Sequence, residues 1–173
     1  MKKIFLIIGI AVCINASGSG LLGVDKNDNQ IRDDVEEWID QNYKHPIEKA
    51  LLTQVAKLYQ EQLKLSKRMS SDKEFAIAFK MKELNNYTAC ELYWTYDAQD
   101  TGEAFVLSEN SKLKGYEGEY FTKPLDDKQF NTKERKKAGE ILYDALEGRV
   151  CPLVEPDKSK CDFNAKKLLK GYK

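Results

Sequence analysis

The sequence predicts a mainly α-helical fold, a small helical bundle carrying one irregular insertion. Apolar residues recur three and four apart in several long segments, the spacing that gathers side chains on one face of a helix. Residues suited to helix starts, among them Pro46, Ser71 and Asn131, stand ahead of those segments. Gly102, Gly115, Gly118 and Pro124 punctuate one stretch, 97–130, in which that spacing lapses.

The first residues stand apart from the bundle. Lys2 and Lys3 precede the apolar run 4–12, and the chain then turns small and polar through 15–20, the order of a secretory signal peptide. The apolar run is too short to span a bilayer comfortably. Cleavage after Ala16 or Gly18 would leave a small residue at the cut. Residues 1–16 are therefore expected to be a signal peptide, 17–24 a linker and 25–173 a single helical domain. A second reading makes Cys13 a lipid-modified N-terminus, because Ile10, Ala11, Val12 and Cys13 are similar to a bacterial lipobox, with Val12 where a small residue is usual. Either way the chain is expected to be exported, periplasmic or secreted, and to meet a membrane only through its leader or a lipid on Cys13.

The helices follow in order. Over 31–43, Ile31, Val35, Trp38 and Ile39 share a face, and Asp33, Asp34, Glu36 and Glu37 lie near the start, where the helix dipole favours negative charge. His45 and Pro46 end that helix, and His45, the single histidine, reads as a helix cap or surface residue. A longer helix opens at Pro46 or Ile47 and runs to about 69, with Leu51, Leu52, Val55, Leu58, Tyr59 and Leu63 as its apolar stripe. Ser71 with Glu74 looks like a capping box for a third helix through Phe75, Ile77, Phe79, Met81 and Leu84 toward Tyr93. These two long helices are expected to pair antiparallel. Within the irregular insertion, 104–107 and 116–121 are strand-like and suggest a short hairpin. Asn131 and Thr132 then cap a helix carrying Ala138, Ile141, Leu142, Ala145 and Leu146, stopped at Gly148, and a last short helix is expected over 162–169.

Charge and cysteines narrow the function classes. Lys+Arg and Asp+Glu both number 28, and loss of Lys2 and Lys3 with the leader leaves a net charge of −2, which gives no electrostatic case for nucleic acid. Without Cys13, Cys90, Cys151 and Cys161 can form one disulfide in an oxidising compartment. A local Cys151–Cys161 bridge would hold a loop containing Pro152 and Pro156 and leave Cys90 a buried thiol. The competing pairing joins Cys90 to one of the other two and staples the C-terminal segment onto a helix. No C-x-x-C pattern supports a cysteine metal site.

The chemistry concentrates in residues 25–36. Asp25, Asn27, Asn29, Asp33 and Glu36 fall at positions 1, 3, 5, 9 and 12 of a loop, and Ile31 at position 7 offers a backbone carbonyl, the spacing with which a chain wraps one calcium ion. Calcium is a hard cation that takes six to eight oxygens, so each of these donors suits it. The stretch resembles the calcium loops of EF-hand proteins, and more closely the D-x-D-x-D-G-I-x-D-D-x-E loops of thrombospondin type 3 repeats. That resemblance implies a structural calcium site and no reaction. Gln30 stands where the pattern has Gly, and Asn27 and Asn29 replace charged ligands, so an affinity of about 10⁻⁴ to 10⁻³ M is expected. The metal-free reading of the same residues is an Asx-rich turn leading into an acid-capped helix.

No residue pattern names a catalytic site. Tyr93, Trp94 and Tyr96, between Glu91 and Asp97, fit either a sugar- or peptide-binding groove or a packed helix end. The expectation is a non-catalytic binding or structural protein with an unidentified protein or cell-envelope partner. The alternatives are a periplasmic or secreted hydrolase and an inhibitor or immunity-type protein.

Overall fold

A computed structural model describes residues 20–97, 122–146 and 153–172. Its order is α1 (Asp33–Asn42), α2 (Pro46–Ser71), a rod made of α3 (Lys73–Phe79), a π-helical turn (Lys80–Leu84), α4 (Asn85–Leu92) and a second π-helical turn (Tyr93–Asp97), then α5 (Lys123–Gln129), α6 (Lys133–Leu146) and α7 (Ala165–Leu168). No strand occurs among the described residues, so the expected helical bundle is what forms. The stretches expected to pair as a hairpin, 104–107 and 116–121, lie outside the described residues.

α2 is the spine. Its 26 residues extend about 39 Å at 1.5 Å per residue, long enough to serve two cores. Around its first half, Leu51, Leu52 and Val55 pack with Ile31, Val35 and Ile39 beside α1, Cys90 and Trp94 of the rod, Leu125 of α5 and Ala165 of α7. Around its second half, Met69 packs with Ala76 and Phe79 of the rod and Leu142 and Ala145 of α6. The rod meets α2 in inverted order, α3 near its end and α4 nearer its start, so the two run antiparallel as expected.

Local chemistry sets the helix ends. α2 opens on His45, whose Nδ1 accepts the Ile47 N–H at 3.2 Å, with Pro46 supplying a preset φ in the first turn. His45 is thus a cap, but a buried one, with the Tyr172 ring edge-on at 5.0 Å. The turn from α2 into the rod is capped by Asp72, whose Oδ1 accepts the Phe75 N–H at 2.9 Å. Ser71, expected in that role, stays in α2 and donates its hydroxyl back to the Lys67 and Arg68 carbonyls. α6 starts as expected, with the Arg135 N–H donating to Thr132 Oγ1.

Two boundaries differ from expectation for physical reasons. α1 begins at Asp33, because Ile31 and Arg32 belong to the preceding loop and Arg32 is extended (φ −63, ψ 136). Lys123–Gln129, expected inside the irregular insertion, forms α5: Pro124 reads as a breaker but sits in the first turn, where its missing N–H costs nothing. Leu125 and Gln129, one turn apart, are both fully buried.

Buried polar side chains lock the helices to one another. Gln62 of α2 donates to the Gly139 carbonyl of α6 at 2.9 Å. At Gly139 a Cβ would lie 3.0 Å from the Phe130 ring, so a larger residue would push that ring off α6. The Gln129 amide donates to Gln60 Oε1 at 3.0 Å, and Gln60 donates in turn to the Leu22 carbonyl at 2.8 Å. Arg135 of α6 completes this hold on the N-terminal segment, with Nε donating to Leu21 O and Nη2 to Gly20 O. Within the stretch 17–24, expected to be linker, the Gly20, Leu21, Leu22 and Val24 carbonyls are therefore built into the fold.

The cysteines resolve in favour of the long-range pairing. Cys90 on α4 bonds Cys161 with sulfurs 2.05 Å apart and Cα atoms at 5.0 Å. The local Cys151–Cys161 bridge does not form, because 153–163 lies against α4: the Asp157 N–H donates to Ala89 O, Gln54 of α2 bonds Lys160 O and the Asp162 N–H, and Phe163 stacks on Trp94. Cys90, read as a possible free thiol, is the buried half of this bridge.

Candidate metal centre

The loop between residues 24 and 33 folds on its own side chains. Asp25 accepts the Asn29 N–H through Oδ1 at 3.2 Å and the Gln30 N–H through Oδ2 at 2.9 Å. Asn27 Oδ1 accepts the Asn29 N–H and Asn29 Oδ1 accepts the Ile31 N–H, at 3.2 and 2.9 Å. Such Asx turns need tight backbone, and Asp28 (φ +55) and Gln30 (φ +70) both take the left-handed conformation. Gln30 therefore adopts the positive φ that the loop pattern assigns to Gly, at a steric cost its Cβ imposes.

Glu36, in the first turn of α1, reaches back over this loop. Its Oε1 accepts from Asn29 Nδ2 at 2.8 Å and its Oε2 from Asn27 Nδ2 at 3.0 Å. The carboxylate thus straddles both amides. Ile31 buries its side chain in the core, and among the described residues its carbonyl accepts no hydrogen bond. Asp33 turns elsewhere: its Oδ1 accepts the Lys26 N–H at 2.9 Å, and Lys26 Nζ lies 3.7 Å from Oδ2.

Of the six expected ligands, Asn27, Asn29 and Glu36 are in direct contact, Asp25 is tied to them through the Asn29 N–H, Ile31 presents a carbonyl, and Asp33 faces Lys26. Among the described residues no three His, Cys, Asp or Glu side chains converge, so the donor set is oxygen-rich but low in charge. The set fits a hard cation. Each amide oxygen has two lone pairs, one taken by a backbone N–H and one open to an ion. Glu36 can then offer both carboxylate oxygens.

Arg32, inside the same loop, carries a role that loop spacing does not reveal. It is 1 % exposed, yet its donors are satisfied by Asp34 and by the Gln129 and Lys128 carbonyls at the end of α5. A guanidinium there opposes the negative end of the helix. Burial raises the Asp34 pKa, but Arg32 and Lys128 outweigh it and hold the carboxyl down at about 2. A lone arginine in an acidic stretch was the only available signal.

A second polar cluster lies where α2, α4 and α5 meet. Tyr59 hydrogen-bonds to Asp126 and Thr122, and Glu91 of α4 interacts with the Asp126 charge. Asp126 and Tyr59 line a hollow of about 210 Å³ that Glu91 does not reach. Tyr93 and Trp94, candidates for a binding groove, are instead packed in the core with rings at 5.3 Å, and Lys158 lies over both. No described helix is long and apolar enough to cross a membrane. Compared with protein-family models, curated proteins and solved structures, the chain matches none.

Proposed function

We propose that residues 25–36 hold one calcium ion and that the protein acts after export as a binding or structural protein, without catalysis. The observation that carries this reading is the Glu36 carboxylate straddling the Asn27 and Asn29 amides above a turn with Gln30 at φ +70. An Asx-rich helix cap alone would not require its first-turn glutamate to fold back on the two amides.

In this reading Asp25, Asn27 and Asn29 each offer a side-chain oxygen, Ile31 its carbonyl, Glu36 two oxygens, and Asp33 binds directly or through water. Bound calcium would supply charge neutralisation and no reaction. Its effect is to tie the segment before α1 to α1 itself. With an affinity of about 10⁻⁴ M, an outside concentration near 10⁻³ M stabilises the fold by about 1.4 kcal/mol.

Calorimetric titration of the mature, chelator-treated protein tests it, together with melts in calcium and in chelator. One saturable ion and a raised melting temperature are expected, and Glu36→Gln is expected to lose the calcium-dependent rise while still melting cooperatively in chelator. Absence of binding at millimolar calcium would reduce the loop to a helix cap.

A further inference from the structure

The hollow of about 210 Å³ is formed where α2, α5 and α6 meet. It is smaller than the roughly 300–1,000 Å³ of sites for whole drug-sized molecules, so it suits a single functional group. Its walls are aromatic. The Tyr59 and Phe130 rings sit 5.2 Å apart, and Phe130 lies against α6 because Gly139 has no Cβ to push it away. Tyr143, one turn beyond Gly139, lines the same hollow with 66 % of its surface exposed.

Gln62 supplies the observation that points to a ligand. It is 4 % exposed, and its amide nitrogen is spent on the Gly139 carbonyl at 2.9 Å. That orientation is fixed, since a carbonyl only accepts. Gln62 Oε1 accepts no hydrogen bond among the described residues and yet is not sealed from solvent, so it opens on the hollow that the side chain lines. An oxygen so placed is short of a donor.

Charge decides which donor. Around the hollow stand Asp126, Asp127 and Glu140 against the single lysine Lys136. Asp127 is taken by Lys123 at 2.6 Å, which leaves two carboxyls to one ammonium, and neither Glu140 nor Lys136 is in an ion pair among the described residues. Burial raises the Asp126 carboxyl above its ordinary value, and a cation arriving beside it favours the charged form. Ring faces attract cations as well.

We propose that this hollow binds a protonated primary amine, whose ammonium donates to Gln62 Oε1, lies among the Tyr59, Phe130 and Tyr143 rings and meets the charge of Asp126 and Glu140. A quaternary ammonium offers no N–H and an alcohol no charge, so the amine is the class that uses both features. None of the lining residues belongs to the loop 25–36, and the site works without calcium.

Titration of the isotope-labelled mature chain with n-butylammonium, in chelator at constant ionic strength and followed by NMR, tests the proposal. Saturable shifts of the Gln62 side-chain amide and the Tyr143 ring are expected, with tetramethylammonium and 1-butanol each binding about tenfold more weakly. Tyr143→Ala and Glu140→Gln, both at exposed positions, are each expected to weaken binding about two- to fivefold, and Lys136→Gln to tighten it by a similar factor. Glu134→Gln, on α6 outside the hollow, is expected to leave it unchanged. Nα-acetyl-lysine amide separates the sources: binding as tight as that of n-butylammonium assigns the site to a lysine side chain of a polypeptide, and weaker binding assigns it to a free amine. Absence of saturation, equal binding of either control compound, or an affinity unchanged in both Tyr143→Ala and Glu140→Gln would overturn the site.

Discussion

Arg32 and Asp34 grip each other through two hydrogen bonds, Nε to Oδ1 at 2.8 Å and Nη2 to Oδ2 at 2.9 Å, although the guanidinium is 1 % exposed and the carboxylate side chain 49 %. The asymmetry separates the two residues energetically. Asp34→Asn keeps the shape and loses a half-solvated charge, so the expected loss is about 1 kcal/mol after discounting for solvent screening. Arg32→Ala also leaves the last carbonyls of α5 without donors and vacates a buried site, and should cost about 3 kcal/mol. Urea unfolding at neutral pH compares them, and equal losses would mean that the bonds to Lys128 and Gln129 contribute nothing.

Gln30 holds φ +70 with a Cβ that disfavours it. Gln30→Gly relieves that cost and is expected to stabilise the protein in chelator by roughly 0.5–1 kcal/mol. If the loop binds calcium, the same variant tightens binding, because less strain opposes the bound turn. A denaturant midpoint and a calcium titration on one preparation read both effects.

Gly23 is the opposite case, a glycine the fold requires. It sits at φ +72, and a Cβ there would approach Arg32 Cδ to 2.5 Å. Gly23→Ala is expected to cost about 2 kcal/mol, since strain and displacement of a buried arginine add. A thermal melt measures it, and a neutral result would show that residues 20–24 can detach without consequence.

The Cys90–Cys161 bridge closes a sequence separation of 71 residues. Its removal by Cys90→Ala with Cys161→Ala is expected to lower stability by about 4 kcal/mol on the chain-entropy account. Peptide mapping of the unreduced protein should recover the peptides holding Cys90 and Cys161 as one linked species. A Cys151–Cys161 species in its place would refute the pairing.

Legibility in the sequence followed the range of the interaction. α2 could be read because Leu51, Leu52, Val55 and Leu63 repeat at helical spacing and Pro46 marks the start, all local signals. The π-helical turns at Lys80–Leu84 and Tyr93–Asp97 could not, since one extra residue per turn leaves no compositional mark. α5 was hidden by Pro124, whose breaking and initiating roles look alike until the first turn is known. The loop ligands were legible as a spacing, but the contact of Arg32 with Gln129 spans 97 residues and that of Gln62 with Gly139 spans 77. Glu91 and Asp126 read as two acids among many, because only burial distinguishes them.

The capture of the Gly20 and Leu21 carbonyls by Arg135 has a consequence in time. The partners are 115 and 114 residues apart, so at roughly 5–20 residues per second the arginine is made about 6 to 23 s after the segment it secures. Until then water must satisfy those carbonyls, and residues 20 and 21 stay accessible to chaperones and proteases while α1 and α2 already exist. A product that ends before residue 135 never secures the Gly20 and Leu21 carbonyls, which makes that segment a natural mark by which an unfinished molecule is told from a finished one.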